Sequence, residues 1–329
     1  MTRLALIDGD IIAYRCAAAN EKRTVKATHK ESLEELVFDT ATKFKEWAGD
    51  RKDDYDLKPQ QEAEDIQNAF ALIKQMLESI TTNAKCDNYH IIVSGDNNFR
   101  RDLPLPTRYK DSRSDVAKPL QLADCKRYLV HFKKAETAEG EADDLLTAYM
   151  AQSYRDGGND VQCSLDKDAK HGPGWLYDWT NMSEPVLIEG YGGLELILKE
   201  KAKLKADGTP TVEKSIKGKG RAFLYYQMLF GDPVDCYKPC ELAKVKFGEI
   251  GAYDLLKSAK NDKEALESLV RQYKKWYPEP VAYRCWKEEL HTKSWMEVWQ
   301  MYADCAFMRR WDGDRFDVKA TLDRLKVEY

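Results

Sequence analysis

Leu4-Ala5-Leu6-Ile7-Asp8 is an apolar run that stops on a carboxylate. Two later stretches repeat that form. Tyr89-His90-Ile91-Ile92-Val93-Ser94 is compact and rich in β-branched residues and runs into Gly95-Asp96. Val161-Gln162-Cys163-Ser164-Leu165 ends at Asp166. Short apolar runs bounded by turn residues read as strands buried on both faces. Helical spacing falls between them, at 32–47, 62–80 and 121–132. It recurs from Glu141 to Tyr154, where Leu145, Leu146, Tyr149 and Met150 form a candidate buried face and Gly157-Gly158 ends the helix. Two more short strands are expected near 175–179 and 185–189. Strands separated by helices predict an α/β fold with a mostly parallel sheet. The polar stretch Asp50 to Lys58 reads as a turn. Residues 97–119, with three prolines and many charges, read as a loop or irregular helical excursion. Asp207-Gly208 is a hairpin-turn signal. From about 220 onward the pattern is helical.

The 329 residues suffice for one large domain or two smaller ones. Hydrophobic residues at 43% can fill a core, and charged residues at 33% with a net charge of -4 describe a soluble chain. No apolar run approaches the ~20 residues of a membrane span. The first residues lack the basic start, apolar stretch and cleavage site of a signal peptide, so a cytoplasmic location is expected. Eight cysteines and five histidines are scattered without a paired CxxC pattern, Cys236 and Cys240 being the nearest pair. Reduced thiols are therefore expected, and a zinc site is not. Most of the tryptophans (Trp276, Trp286, Trp295, Trp299 and Trp311) fall near the end, at spacings that suit the core between helices.

The three strand-end acids, Asp8, Asp96 and Asp166, would all lie at the carboxyl edge of a parallel sheet, where α/β folds bind ligands. Asp168 follows Asp166. Glu141, Asp143 and Asp144 begin the long helix, and Asp232 and Asp235 flank Pro233-Val234 at a helix-to-loop junction. Taken singly, each acid suits a turn or a helix cap. Crowded carboxylates raise one another's pKa, and hard divalent cations with oxygen ligands remove that cost. So many acids suggest two ions, which at about 4 Å apart can activate water and steady the leaving oxygen of a phosphodiester.

In order, Ile7-Asp8-Gly9-Asp10, Ser94-Gly95-Asp96, Glu141-Ala142-Asp143-Asp144, Ser164-Leu165-Asp166-Lys167-Asp168 and Gly231-Asp232-Pro233-Val234-Asp235 resemble the 5′-nuclease family of flap endonucleases, especially its phage-type 5′→3′ exonucleases. The resemblance implies a PIN-like fold over 1–195 and a mainly helical DNA-binding region over 196–329. It implies Mg²⁺ or Mn²⁺ as cofactor, as two ions in the family pattern. Asp8, Asp96, Glu141 and Asp143 would serve one ion. Asp144, Asp166, Asp168, Asp232 and Asp235 would serve the other. It implies an arch or clamp over 97–137, in which Lys110 and Arg113 act on the scissile phosphate. Arg100, Arg101, Arg108, Tyr109, Lys110 and Arg113 would meet DNA. Residues 97–134 hold ten Lys or Arg against four Asp, a local +6 that answers the acidity of the whole. A second basic run covers 199–221 and is either DNA-facing or simply solvated. Pro239 stands where many members place a flexible Gly in a helix-turn-helix that grips the duplex with a monovalent K⁺; a turn of that kind is expected near 228–257 only in outline.

The activity this implies is phosphodiester hydrolysis at a DNA 5′ end or flap by a monomer in a bacterial or phage-infected cytoplasm, as in replication and repair. Two alternatives stay open: an RNA-directed nuclease, acting on an RNA–DNA hybrid or as a PIN-type ribonuclease, and a non-catalytic structure-specific DNA-binding protein.

Overall fold

The computed structural model describes residues 2–113, 116–204 and 210–329, with side chains throughout except at Arg113 and 202–204. The elements run β1 (Leu4–Asp8), α1 (Gly9–Ala19), β2 (Glu21–His29), β3 (Glu35–Phe38), α2 (Ala41–Ala48), β4 (Tyr55–Ala63), α3 (Ile66–Asn83), β5 (Asn88–Val93), α4 (Leu122–Phe132), β6 (Glu136–Thr137), α5 (Ala142–Arg155), β7 (Val161–Cys163), β8 (Gly174–Tyr177), β9 (Val186–Ile188), β10 (Gly193–Leu204), β11 (Pro210–Lys219), α6 (Arg221–Phe230), α7 (Glu249–Leu256), α8 (Asp262–Trp276), β12 (Val281–Arg284), β13 (Leu290–Lys293), α9 (Trp295–Ala306) and α10 (Val318–Leu325).

The central sheet has the order β6-β5-β1-β7-β8-β9. β1 pairs in parallel with β5 on one side and β7 on the other, β7 pairs in parallel with β8, and β9 closes the edge antiparallel. Parallel neighbours pair along both edges of β1 and both of its faces are covered, so Ala5, Leu6 and Ile7, which alternate between the faces, are all buried and form an unbroken apolar run. Leu6 and Ile92 pack against Leu146 and Met150 of α5, with Leu145 and Tyr149 at the margin. Asp8 is the last residue of β1, and Asp96 and Asp166 follow the carboxyl ends of β5 and β7, as the strand pattern predicts.

The chain divides into two compact units. One comprises 1–8, 80–116 and 137–329 and carries the central sheet and the later helices. The other comprises 9–79 and 117–136. The basic segment 97–134 is therefore shared, its first part falling in one unit and α4 in the other. The described residues of 97–116 form short 3-10 turns at Phe99–Asp102 and Asp111–Arg113 and no α-helix.

In the second unit the helical expectation for 32–47 is corrected: β3 occupies Glu35–Phe38 and α2 begins only at Ala41. β2, β3 and β4 form an antiparallel sheet of order β3-β2-β4. The expected turn at 50–58 is a 3-10 turn followed by the first half of β4. These strands are largely polar, so their apolar signal is faint, and β4 is an edge, where Pro59 is tolerated opposite Val25. Phe38, Phe44, Trp47 and Tyr55 cluster over this sheet.

In the first unit β10 and β11 pair antiparallel up to Leu204 and Pro210, and the expected Asp207-Gly208 turn lies outside the described residues. The later helices share one large core that includes Trp276 and Trp299, while Trp311 is half exposed. Between α6 and α7 there is no single tight turn: residues 233–244 form successive turns, closed by a backbone bridge between Asp232 and Tyr237. The hairpin β12–β13 interrupts the helical region.

Candidate functional site

The site is assembled at the carboxyl edge of the sheet, and local chemistry sets each piece. At the end of β5, the Ser94 hydroxyl accepts a hydrogen bond from the Ala142 N–H at 2.9 Å, so it caps the start of α5 from a distance. Gly95 has no room for a side chain, since a Cβ there would lie 2.1 Å from the Ala138 carbonyl oxygen. The Gly95 N–H instead donates to the Gly140 carbonyl at 2.9 Å, and this close approach fixes where Glu141 and Asp143 emerge. After β7, the Ser164 hydroxyl accepts from the Asp166 N–H and donates to Asp8 Oδ2 at 3.4 Å. Asp166 then accepts from the Asp168 N–H at 2.8 Å and caps a 3-10 turn over Lys167–Lys170.

Gly231 ends α6 with φ +88°. A Cβ there would lie 2.3 Å from the Tyr237 carbonyl oxygen, so only glycine permits the closed loop that follows. In that loop the Asp232 carboxylate accepts from the Val234 N–H at 2.9 Å, an Asx-type turn. The loop thereby brings Asp232 and Asp235, both nearly fully buried, toward Asp168. One carboxylate oxygen of each of Asp168, Asp232 and Asp235 lies within 4.8 Å of the others.

The electrostatic balance can be traced at Asp143 and Asp168. Asp143 is pushed well above the ordinary carboxylate range by burial first, then by Asp166, Asp8 and Glu141, against a smaller opposing pull from Lys110. Its Oδ1 is buried and has no hydrogen-bond partner. Burial and then Asp166 likewise raise Asp168, although Gln227 donates to its Oδ1 at 2.6 Å. Lys167 lies 2.9 Å from Asp232. Burial disfavours its charge, but Asp232, Asp168 and Asp166 more than compensate and hold it protonated. Lys110 adopts the left-handed backbone conformation (φ +58°) and donates its N–H to the Asp235 carbonyl at 3.0 Å. Its ammonium pairs with Glu141 and lies 3.8 Å from Asp235. The buried Tyr109 hydroxyl donates to Asp235 at 2.6 Å. Burial raises that phenol well above its ordinary value, so it stays a neutral donor. Two lysines thus stand among a larger number of acids, the buried His171 ring lies 3.8 Å from Asp168, and the Oδ1 of Asp143 is left without a donor. The carboxylate oxygens suit hard divalent cations.

Not every residue singled out above belongs to this cluster. Asp96 is exposed in a bend after β5. Asp144 faces away, taking Nη1 and Nη2 of Arg100 at 2.7 and 2.9 Å and the Arg309 N–H at 2.9 Å. Its oxygens are already committed. Arg100, expected at a DNA-facing surface, is fully buried. Besides Asp144, it donates to Glu141 and to the carbonyls of Cys305 and Phe307. The planar guanidinium, with its several donors, meets all of these acceptors at once. Tyr109 is likewise buried against Asp235 and offers no face for stacking on a base. Arg101 and Arg108 are exposed, with Arg108 placed over the Trp286 ring at 5.1 Å. The Arg113 side chain lies outside the described residues. Ser94, Ser164 and Lys167 lie inside the carboxylate motifs, but reasoning from sequence assigned them no role of their own. Gln227 was missed, although it left a signal as a polar residue amid the apolar run of α6.

No protein-family model matches the sequence, and no curated protein matches it. Among solved structures, the T5 D15 protein co-crystallised with metal ions is similar over 80% of this chain and 78% of its own, at 12% identity and a TM-score of 0.41. A likeness of that degree carries nothing about chemistry, which rests on the carboxylates themselves. No helix among the described residues is long and apolar enough to cross a membrane.

Proposed function

We propose that the chain is a divalent-metal-dependent phosphodiester hydrolase acting on nucleic acid, with 5′→3′ exonuclease and flap endonuclease activity on DNA. The observation that carries this reading is the buried group of Asp168, Asp232 and Asp235, with oxygens within 4.8 Å of one another, in the same electrostatic network as the unpartnered Oδ1 of Asp143. Carboxylates kept this close without cations work against their own ionisation, a cost that a purely structural site has no reason to carry.

Asp168, Asp232 and Asp235 would hold one Mg²⁺ or Mn²⁺, and Asp8, Asp143 and Asp166 a second, the charge of Asp166 acting on both Asp143 and Asp168. Bound there, the ions would supply Lewis-acid stabilisation of the phosphodiester and lower the pKa of a water so that it can lose a proton and become nucleophilic. The remaining steps belong to the chain. Lys110 is held by Glu141 and Asp235 at the margin of the acids, where its ammonium can shift to a phosphate oxygen when a substrate strand enters. Lys167 neutralises Asp232 and keeps the group from repelling a polyanion. Gln227 and the Tyr109 hydroxyl orient Asp168 and Asp235. The exposed Arg101 and Arg108 would meet the backbone of the strand.

The test is cleavage of 5′-labelled duplex, 5′-flap and RNA–DNA hybrid with Mg²⁺, Mn²⁺ or EDTA, reading product lengths. Metal-dependent release from a 5′ end or flap is expected, and Asp143→Asn and Asp166→Asn should bind DNA without cutting it. Wild-type rates in both variants would refute the site. Cleavage of the hybrid alone would redirect the activity to RNA.

A further inference from the structure

Away from the carboxylate group, the hairpin β12–β13 gathers donors of a different kind. Its register pairs Tyr283 with His291 and Arg284 with Leu290, and the Cys285 N–H donates to the Glu289 carbonyl at 3.0 Å. Cys285 therefore stands opposite Glu289, two pairs nearer the turn than Tyr283 and His291. Alternation along a strand puts residues two apart on the same face, so Cys285, Glu289 and His291 share one face of the hairpin. Sγ, a carboxylate oxygen and a ring nitrogen of these residues all lie within 4.8 Å of one another. Cys285 is buried, His291 half-buried and Glu289 exposed, which leaves one open side. The His291 Nε2 is itself buried and makes no hydrogen bond, its nearest ionic neighbour being Glu289 at 3.5 Å. Their spacing in the chain gave no zinc-type signature; the pleat brings them together.

We infer that Cys285, Glu289 and His291 form a second metal site, selective for a thiophilic divalent cation of the Zn²⁺ class and separate from the carboxylate group. Thiolate, imidazole and carboxylate are the donors such an ion takes, and three of them leave a fourth position open to solvent. Mg²⁺ disfavours thiolate and imidazole, so the two sites sort ions by donor chemistry. Binding releases the Cys285 thiol proton to solvent and leaves the thiolate and the neutral His291 nitrogen on the ion.

The position gives the site a structural consequence. The same hairpin holds residues 102–105, which lead to Lys110. The Trp286 N–H donates to the Leu105 carbonyl at 2.9 Å and its Nε1–H to the Leu103 carbonyl at 3.1 Å. The Tyr283 hydroxyl donates to the Pro104 carbonyl at 2.6 Å, and Lys287 pairs with Asp102 at 3.0 Å. An ion joining Cys285 to His291 ties the two strands at the end that bears these contacts.

The experiment titrates Co²⁺ into the EDTA-stripped full chain in excess Mg²⁺, so that hard sites are filled. One equivalent is expected to bind with a thiolate-to-cobalt charge-transfer absorption, which an all-carboxylate site cannot produce, and Zn²⁺ should displace it. Cys285→Ala should abolish the band. His291→Ala and Glu289→Gln, at positions open enough to spare the fold, should each weaken Co²⁺ binding by more than about tenfold. Cys240→Ser should leave the band intact. Absence of a band in the wild type, or a band unchanged in Cys285→Ala and His291→Ala, would overturn the site. The readout needs no nucleic acid, so its failure would leave the nuclease reading untouched, and the reverse also holds.

Discussion

Replacing Arg100 by Met separates a structural role from a DNA-contacting one. The side chain is fully buried, yet it carries a guanidinium bonded to both oxygens of Asp144, to Glu141, and to the carbonyls of Cys305 and Phe307. Methionine fills much of the same volume, so little of the loss comes from a cavity. What remains is Asp144 without its cation and two carbonyls without a donor. Breaking a buried pair from one side costs about 3–5 kcal/mol. At roughly 2–4 °C of Tm per kcal/mol for a domain of this size, thermal denaturation should shift down by about 6–20 °C. Glu141 is spared the worst because Lys110 also pairs with it. Adding Asp144→Asn removes the stranded charge, so the double variant should be more stable than the two single losses predict, by more than about 1 kcal/mol. The companion measurement is the salt dependence of DNA binding, in a metal that does not support cleavage. A phosphate contact contributes about 0.9 to the slope of log K against log salt. The Met variant should keep the wild-type slope while losing stability. An unchanged Tm with a slope shallower by that amount would refute the buried-clamp account and return Arg100 to the DNA surface.

Three further outcomes follow from the site. Asp143→Asn removes a carboxyl that burial, Asp166 and Asp8 hold against ionisation. The metal-free variant should therefore melt about 2–4 °C higher than wild type and lose the stabilisation that Mg²⁺ gives the wild type; a lower metal-free Tm would count against the crowding argument. Lys110→Ala should slow single-turnover cleavage about 10²-fold while weakening DNA binding far less; an unchanged rate would remove Lys110 from the reaction. Asp178 is buried, which alone would raise its pKa, but bonds from Asn181 and Thr180 outweigh burial and hold it below the ordinary value. A depressed folded pKa stabilises above the unfolded value and is lost as pH falls through the folded one. Asp178→Ala should thus cost about 1 kcal/mol at neutral pH and nothing in strong acid; a Tm difference that persists in acid would refute the assignment.

Where signal is local, the chain can be read directly. β1, β5 and β7 are legible because strands inside a parallel sheet are covered on both faces, and burial leaves unbroken apolar runs such as Ala5-Leu6-Ile7. α5 is legible because Leu146 and Met150 recur at helical spacing. The sheet β3-β2-β4 is not, since its strands are mostly exposed and pairing, not apolar content, defines them. The joining of Cys285 to His291 is hidden for the same reason: it depends on a hairpin register that spacing does not encode.

The acids show the sharper limit. Asp143 and Asp144 are neighbours of one residue type at one helix start, and any motif treats them alike. On a helix, successive side chains diverge by about 100°. Asp143 accordingly turns toward Asp8 and Asp166, where its Oδ1 finds no donor. Asp144 turns toward Arg100 and the backbone of Arg309, where its oxygens accept three hydrogen bonds. On the proposed reading the first is left to take a cation, whereas the second already has one in Arg100. What separates them is a guanidinium more than forty residues earlier in the chain. Its basic surroundings suggested a surface contact, and only the burial of Arg100 against α5 and the chain after α9 reveals it as the counter-ion. A carboxylate motif therefore marks where a metal centre can form, and the placement of the nearest arginine decides which of its members are left to bind the metal.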